Sequence, residues 1–212
     1  MVESAMLNNN SNHSSSAGST NKGLLIFAAL LIPMLAAYFI FKTGIGMPGG
    51  TVNKGDLLLP ATSIVDLPLR DSSGQVVSPF DGKLQWRMLI AVDGSCDDQC
   101  LRQLYVSRQV HIRLGEKAVR VERWLVNTGA ALPESLHHHL QQEHPRLRIF
   151  QTDDIQWRNI FAESSIAQHR LDGSHIYYVD QQGYAMMTYD PTHEGADLLT
   201  DIKRLLKYSY EE

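Results

Sequence analysis

A long apolar run near the N-terminus most constrains how this chain can fold. From residue 23 to residue 41 the sequence reads GLLIFAALLIPMLAAYFIF, without a charged side chain. Its length matches the roughly 20 apolar residues that an α-helix needs to span the core of a bilayer. Pro33, near the middle, is better tolerated in a membrane helix than in a soluble one, because neighbouring groups satisfy the freed carbonyl. The run therefore predicts a transmembrane helix over residues 23–41.

The segments on either side of this run set the predicted domain boundaries. Residues 1–22 are dominated by Ser, Asn, Gly and Ala, which cannot offset the entropy of folding, and predict a flexible polar tail. Residues 42–60 are rich in Gly and Pro and predict a linker. Residues 61–212 have the usual size of one domain. A retained anchor is favoured over a cleaved signal peptide, because the run exceeds a signal core and no small-x-small cleavage site follows it.

Charge narrows the classes of partner. The chain has a formal net charge of -4, and no block of Lys or Arg resembles a nucleic-acid patch. We therefore expect no nucleic-acid partner. Charge does not orient the predicted membrane helix, because Lys22 lies on one side of it and Lys42 and Lys54 lie on the other.

Hydrophobic patterning in residues 61–212 predicts strands that alternate with helices. A hairpin is predicted over residues 66–78, strands over 86–92, 119–126, 147–150, 176–180 and 185–189, and helices after residue 100 and over 133–143 and 196–208. This order, closed by a hairpin and a helix, predicts the α/β fold class. We expect a thioredoxin-like sandwich, in which helices flank a central mixed sheet.

The only two cysteines, Cys96 and Cys100, lie between the predicted strand over residues 86–92 and the helix after it. Thiolates are favoured at a helix N-terminus. Residues four apart on a helix lie on one face, so the two sulfurs can form a disulfide or chelate a soft cation such as copper(I). The intervening carboxylates, Asp97 and Asp98, oppose thiolate formation and attract cations. A plain stabilising disulfide and two inert thiols are the alternatives, although so small a loop adds little stability.

A nearby His or Met is a candidate third ligand for such a pair, because copper(I) prefers thiolate, thioether and imidazole. His175 is the first candidate, as a ligand or a proton carrier, because it stands at the start of the predicted strand over residues 176–180. In thioredoxin-like proteins that point lies against the cysteine turn. The competing candidate is His169, and Met186 and Met187 offer thioethers, although methionine in a strand usually fills the core. A polar residue that simply bounds the strand is the alternative for His175.

The order of four segments resembles the Sco family of thioredoxin-like proteins: DLPLRDSSGQVV, WRMLIAV, CDDQC and HIYYVDQQG. The resemblance covers about residues 66–208. It implies a membrane tether, a copper site made by a Cys-x-x-x-Cys motif and a distant histidine, and a role in assembling the dinuclear copper centre of cytochrome c oxidase. Cys96 and Cys100 match the spacing of that motif.

Two features depart from the Sco pattern. The family has proline after each motif cysteine, where this chain has Asp97 and Leu101. Counted back from the glycine of the closing hairpin, the family's histidine aligns with Asp172, whereas His175 aligns with the cis-proline position of thioredoxins.

The resemblance implies an accessory protein for assembly of respiratory cytochrome c oxidase. Through Cys96 and Cys100 the protein would handle copper(I), with His175 as third ligand, or the redox state of the copper-site cysteines. We expect a single-pass protein of the bacterial inner membrane whose domain faces the periplasm, and whose partners are an oxidase subunit or other assembly factors. The alternatives are a general periplasmic thiol-disulfide oxidoreductase and a non-catalytic thioredoxin-like binding module.

Overall fold

The first described segment of the chain is helical. A computed structural model of the protein describes residues 17–44, 52–78, 80, 84–165 and 173–209, and the chain divides into two compact units between Thr51 and Val52. In the first unit, helix α1 (Ala17–Thr43) contains the apolar segment Lys22–Thr43, with a mean hydropathy of 2.6. By length and composition this segment is a candidate membrane span. The helix begins inside the predicted tail, because a nucleated helix extends readily into neighbouring polar residues.

The second unit is an α/β sandwich. Its elements are β1 (Asp56–Ser63), β2 (Leu69–Arg70), β3 (Val76–Val77), β4 (Trp86–Val92), α2 (Asp98–Arg113), a 3-10 helix (Gly115–Arg120), β5 (Val121–Asn127), α3 (Glu134–Glu143), β6 (Leu147–Gln151), α4 (Asp154–Phe161), β7 (Ile176–Val179), β8 (Tyr184–Tyr189) and α5 (Gly195–Tyr208). Within the described residues the strands form one sheet in the order β1-β8-β7-β4-β5-β6-β2-β3. Strands β4, β5 and β6 are parallel and the other pairings are antiparallel. The thioredoxin-like mixed sheet predicted from the sequence is confirmed.

Two predicted boundaries are wrong. Strand β1 begins at Asp56, inside the predicted linker over residues 42–60, and pairs antiparallel with β8. Pro60 is tolerated there because β1 is an edge strand. The strand predicted from Val119 begins at Val121 instead, because the 3-10 helix occupies Gly115–Arg120.

The sheet has an apolar core on each face. Strand β4 is buried along its whole length, as expected for a central strand. Met88, Ile90 and Val92 pack in one core with side chains of α2, α3 and α5. Leu89 and Ala91 face the other core, with side chains of α4 and β1. This packing fixes the end of β4 and the start of α2, between which the cysteine turn lies.

Candidate functional site

The cysteine turn is a capped helix N-terminus closed by a disulfide. Cys96 and Cys100 are bonded to each other, with their Cα atoms 5.2 Å apart. Asp97 is the N-cap of α2, and its Oδ1 accepts a hydrogen bond of 2.9 Å from the backbone N–H of Cys100. Such a cap satisfies one of the free N–H groups of the first turn. The sequence thus places both cysteines where a helix begins.

The two sulfurs have different surroundings. The side chain of Cys100 is fully buried and belongs to the core that contains Val92 and Leu104. Cys96 is only partly buried and packs against the edge of that core. An external thiol or disulfide therefore reaches Cys96 more readily than Cys100.

The loop before β7 closes over the buried cysteine. Gly173 has a φ of +73°, and a Cβ at that position would lie 2.5 Å from both Cβ and Sγ of Cys100. Its backbone N–H donates to the carbonyl of Ala91 at 2.9 Å, which holds the loop against β4. The start of β7 therefore lies against the cysteine turn, as the thioredoxin-like pattern predicts.

His175 is buried two residues after this glycine. Only 8% of the residue is exposed, and its Nδ1 lies 2.7 Å from the Ser174 hydroxyl oxygen. This contact helps to orient the imidazole ring. The role of His175 as a ligand or a proton carrier stays a prediction.

The predicted copper ligands do not form a metal site in this disulfide form. Among the described residues, no group of three or more His, Cys, Asp or Glu side chains is placed to hold a metal ion. The chemistry of the donor set explains this, because a thiolate binds metal and a disulfide sulfur does not. Two thiolates and an imidazole would suit copper(I), so the predicted set of Cys96, Cys100 and His175 fits copper only after reduction.

Several other candidates have different positions. His169 and Asp172 lie outside the described residues. Met187 is buried in the core of the sheet, where its sulfur accepts a hydrogen bond from the Tyr189 hydroxyl at 2.8 Å, and Met186 packs against the same core. The core-filling alternative for both methionines therefore agrees with the structure.

Sequence reasoning missed a polar support of the turn. Asn127, the last residue of β5, accepts a hydrogen bond from the backbone N–H of Gly94 at 2.8 Å and donates to the carbonyl of Ala130 at 2.6 Å and to Gln151 at 2.8 Å. A polar residue at the carboxyl end of a buried parallel strand was the available signal. Asn127 therefore holds the loop after β4 in place just before Cys96.

One family model matches the chain: the C-terminal domain described as transmembrane-like, thioredoxin-like, over residues 86–209. Yeast Sco1 shares 14% identity with the chain at a TM-score of 0.55, over 77% of this chain and 100% of that one. Copper-bound yeast Sco1 gives the same identity and TM-score, over 76% and 97%. Apo Sco1 from Thermus thermophilus shares 20% identity at a TM-score of 0.52, over 74% and 99%. These similarities show a Sco-like thioredoxin fold, and no curated protein matches the sequence.

Proposed function

This chain belongs to the transmembrane-like, thioredoxin-like family, and we propose that it is a membrane-anchored thiol-disulfide exchange protein that works through Cys96 and Cys100. The asymmetry of the disulfide carries the proposal. Cys100 is enclosed by the core and by Gly173, whereas Cys96 is partly exposed. Exchange with a protein disulfide needs one accessible attacking thiol and a second thiol held close to it, and this pair supplies both.

The reduced protein would donate two electrons to a client disulfide. The Cys96 thiolate attacks one client sulfur, which forms a mixed disulfide and releases the other client sulfur as a thiolate. The Cys100 thiolate then attacks Sγ of Cys96, which closes the Cys96–Cys100 disulfide and releases the second client thiolate. The client thiolates take protons from water. A dithiol protein of the same compartment returns the exchange protein to its reduced form.

We further propose that the client is the copper-binding cysteine pair of a respiratory cytochrome c oxidase subunit. Such cysteines bind copper only as thiolates, so an oxidised pair must first be reduced. The Cys-x-x-x-Cys spacing and the Sco-like order of segments support this client, and the fold shared with Sco1 structures is consistent with it. In this proposal α1 anchors the protein once in the bacterial inner membrane, with the domain in the periplasm.

Copper(I) handling by the reduced pair is the second candidate function. The position of the loop before β7 favours it, because Gly173 contacts Cys100 and His175 follows two residues later. In this candidate function copper(I) is cargo, and Cys96, Cys100 and His175 would be its ligands. Two thiolates and an imidazole are donors that copper(I) prefers.

Trapping the mixed disulfide tests the exchange proposal. Reduced full-length protein in neutral detergent is mixed with an oxidised client domain that carries the copper-site cysteine pair. We expect Cys100→Ser to accumulate a covalent adduct through Cys96, because the resolving thiol is missing, and Cys96→Ser to form none. Equal trapping by both variants, or by neither, would contradict the assigned roles and favour the binding module.

Anaerobic copper(I) titration of the same reduced proteins separates the two candidate functions. If copper is cargo, His175→Gln weakens copper binding and leaves disulfide exchange at the wild-type rate. A protein that exchanges disulfides but binds no copper tightly would remove the second candidate. The reverse result would remove the first.

A further inference from the structure

A positively charged cavity lies at the end of α2 that is remote from the cysteines. It has a volume of about 330 Å³ and is bounded by the last turns of α2, the 3-10 helix and the loop after α3. Its polar lining consists of Arg108, His111, Arg123 and Arg146, and no Asp or Glu among the described residues belongs to it. Along the α2 axis, His111 is roughly 16 Å from Cys100 at 1.5 Å per residue. The cavity is therefore separate from the cysteine turn.

Arg123 forms the floor of this cavity. Only 2% of the residue is exposed. Its Nε donates to the Ser107 hydroxyl at 3.1 Å, and Nη2 donates to the same hydroxyl at 2.9 Å, to the carbonyl of Leu104 at 2.8 Å and to His144 Nδ1 at 3.2 Å. In the described part of the chain, Nη1 has no hydrogen-bond partner and no carboxylate pairs with the guanidinium.

Arg123 nevertheless keeps its charge. Burial, followed by repulsion from Arg108, lowers its pKa to about 10, so the guanidinium is protonated at neutral pH. A buried cation without a counterion is unfavourable, because hydrogen bonds to neutral groups do not fully offset the loss of hydration of the charge. An anion in the cavity would supply the missing charge.

The other cationic groups leave the cavity with an excess of positive charge. Arg146 is exposed at its mouth and makes no hydrogen bond or ion pair with any described residue. Arg108 pairs with Glu143 at 3.2 Å, and both side chains of that pair are partly exposed. Of the three arginines that line the cavity, only Arg108 is therefore paired with a described carboxylate.

One histidine, His111, also lines the cavity. His111 Nε2 lies 2.8 Å from the Val121 carbonyl and 3.1 Å from the Ala118 carbonyl, so this nitrogen carries a proton. Burial lowers the pKa of His111 in spite of these bonds, so the ring is neutral near pH 7. The excess charge of the cavity thus belongs to its arginines.

We propose that this cavity binds a small dianion of the phosphate class. Guanidinium groups form strong hydrogen bonds with phosphate oxygens, and three arginines line this cavity, with Nη1 of Arg123 left to donate. The volume is near the lower end of small-molecule sites, about 300 to 1,000 Å³, which suits a phosphate group with a small substituent. Free phosphate compounds and the headgroup of an anionic phospholipid share this chemistry.

Two arms of one experiment distinguish these sources. In the first, full-length protein in neutral detergent is titrated calorimetrically with inorganic phosphate at constant ionic strength. In the second, the protein is bound to neutral nanodiscs, and phosphatidic acid is introduced. The test variant is Arg146→Gln, because this exposed side chain has no internal partner to lose. The matched control is Arg113→Gln, which removes an exposed arginine from the same end of α2 but not from the cavity lining.

We expect saturable binding in at least one arm, with about tenfold weaker affinity for Arg146→Gln and wild-type affinity for Arg113→Gln. Binding of inorganic phosphate identifies the free compound, and binding confined to phosphatidic acid identifies the headgroup. Arg123→Gln should abolish binding, but Arg146→Gln alone keeps the test decisive if that buried substitution unfolds the protein. No saturable binding in either arm, or equal weakening by Arg146→Gln and Arg113→Gln, would overturn the proposal.

Discussion

Replacing Gly173 by alanine should reveal how tightly the loop before β7 encloses the disulfide. Two costs add at this position. The left-handed backbone, with φ +73°, disfavours an L side chain by about 1–2 kcal/mol. The new Cβ would also lie 2.5 Å from Cβ and Sγ of Cys100, and such crowding of a packed core costs about 1–3 kcal/mol. We expect Gly173→Ala to lower the free energy of unfolding by roughly 2–5 kcal/mol.

Gly74→Ala is the matched control for this substitution. Gly74 has a φ of +79°, and a Cβ there meets no atom within 4 Å, so only the backbone cost of about 1–2 kcal/mol applies. Urea denaturation of the full-length protein in detergent, followed by tryptophan fluorescence, measures both variants. All three tryptophans, at positions 86, 124 and 157, are buried in the second unit, so the signal reports on that unit. Equal destabilisation by the two substitutions would refute the close contact with Cys100.

Two further predictions concern charge. Asp97→Ser keeps a side-chain oxygen that can accept a hydrogen bond from the backbone N–H of Cys100, but it removes the negative charge. We therefore expect the alkylation rate of reduced Cys96 to reach half its maximum at a pH about 0.2–0.7 lower than in the wild type. Asp97→Ala also removes the helix cap, so it should lower the free energy of unfolding by about 1 kcal/mol, measured by urea denaturation. An unchanged pH dependence of alkylation in Asp97→Ser would contradict this role of the charge. Burial, then repulsion from Arg123, lowers the pKa of His144 from 6.5 to about 4. The unfolded chain therefore binds more protons between those values, so stability should fall as the pH decreases from 6.5 to 4, and His144→Gln should flatten that part of the profile. Identical profiles of stability against pH for the wild type and His144→Gln would refute this role of His144.

Local patterns predicted most of the elements near the site. The uninterrupted apolar sequence of β4 and the helical spacing after Cys100 place the cysteine turn between a buried strand and α2, as observed. Strand β1 was missed because its Gly- and Pro-containing surroundings resemble a linker. Its pairing with β8 depends on residues more than a hundred positions away, such as Asp56 with Thr188.

Contacts between distant segments could not be read from the sequence. The close approach of Gly173 to Cys100 is set by the packing of the loop before β7 on β4. The sequence around Gly173 does not indicate this contact. Arg123 is a second example. It stands in a strand that contains Glu122 as well, and charged residues in a strand usually face solvent, yet this one is buried beneath α2. Burial of a charge depends on what covers it, which a local pattern does not contain.

The N-cap of α2 favours electron transfer from this protein to its client in the proposed exchange. A cysteine pair is a strong oxidant when the thiolate of its reduced form is well stabilised. Free N–H groups of a helix N-terminus stabilise the thiolate when they face the sulfur. Here the Asp97 carboxylate accepts the hydrogen bond from the backbone N–H of Cys100. Its negative charge also opposes a thiolate on the neighbouring Cys96. The reduced form is therefore stabilised less, which shifts the balance toward the disulfide. In the proposed exchange, this shift favours electron transfer to the client disulfide, which is the direction that would keep the client cysteines reduced.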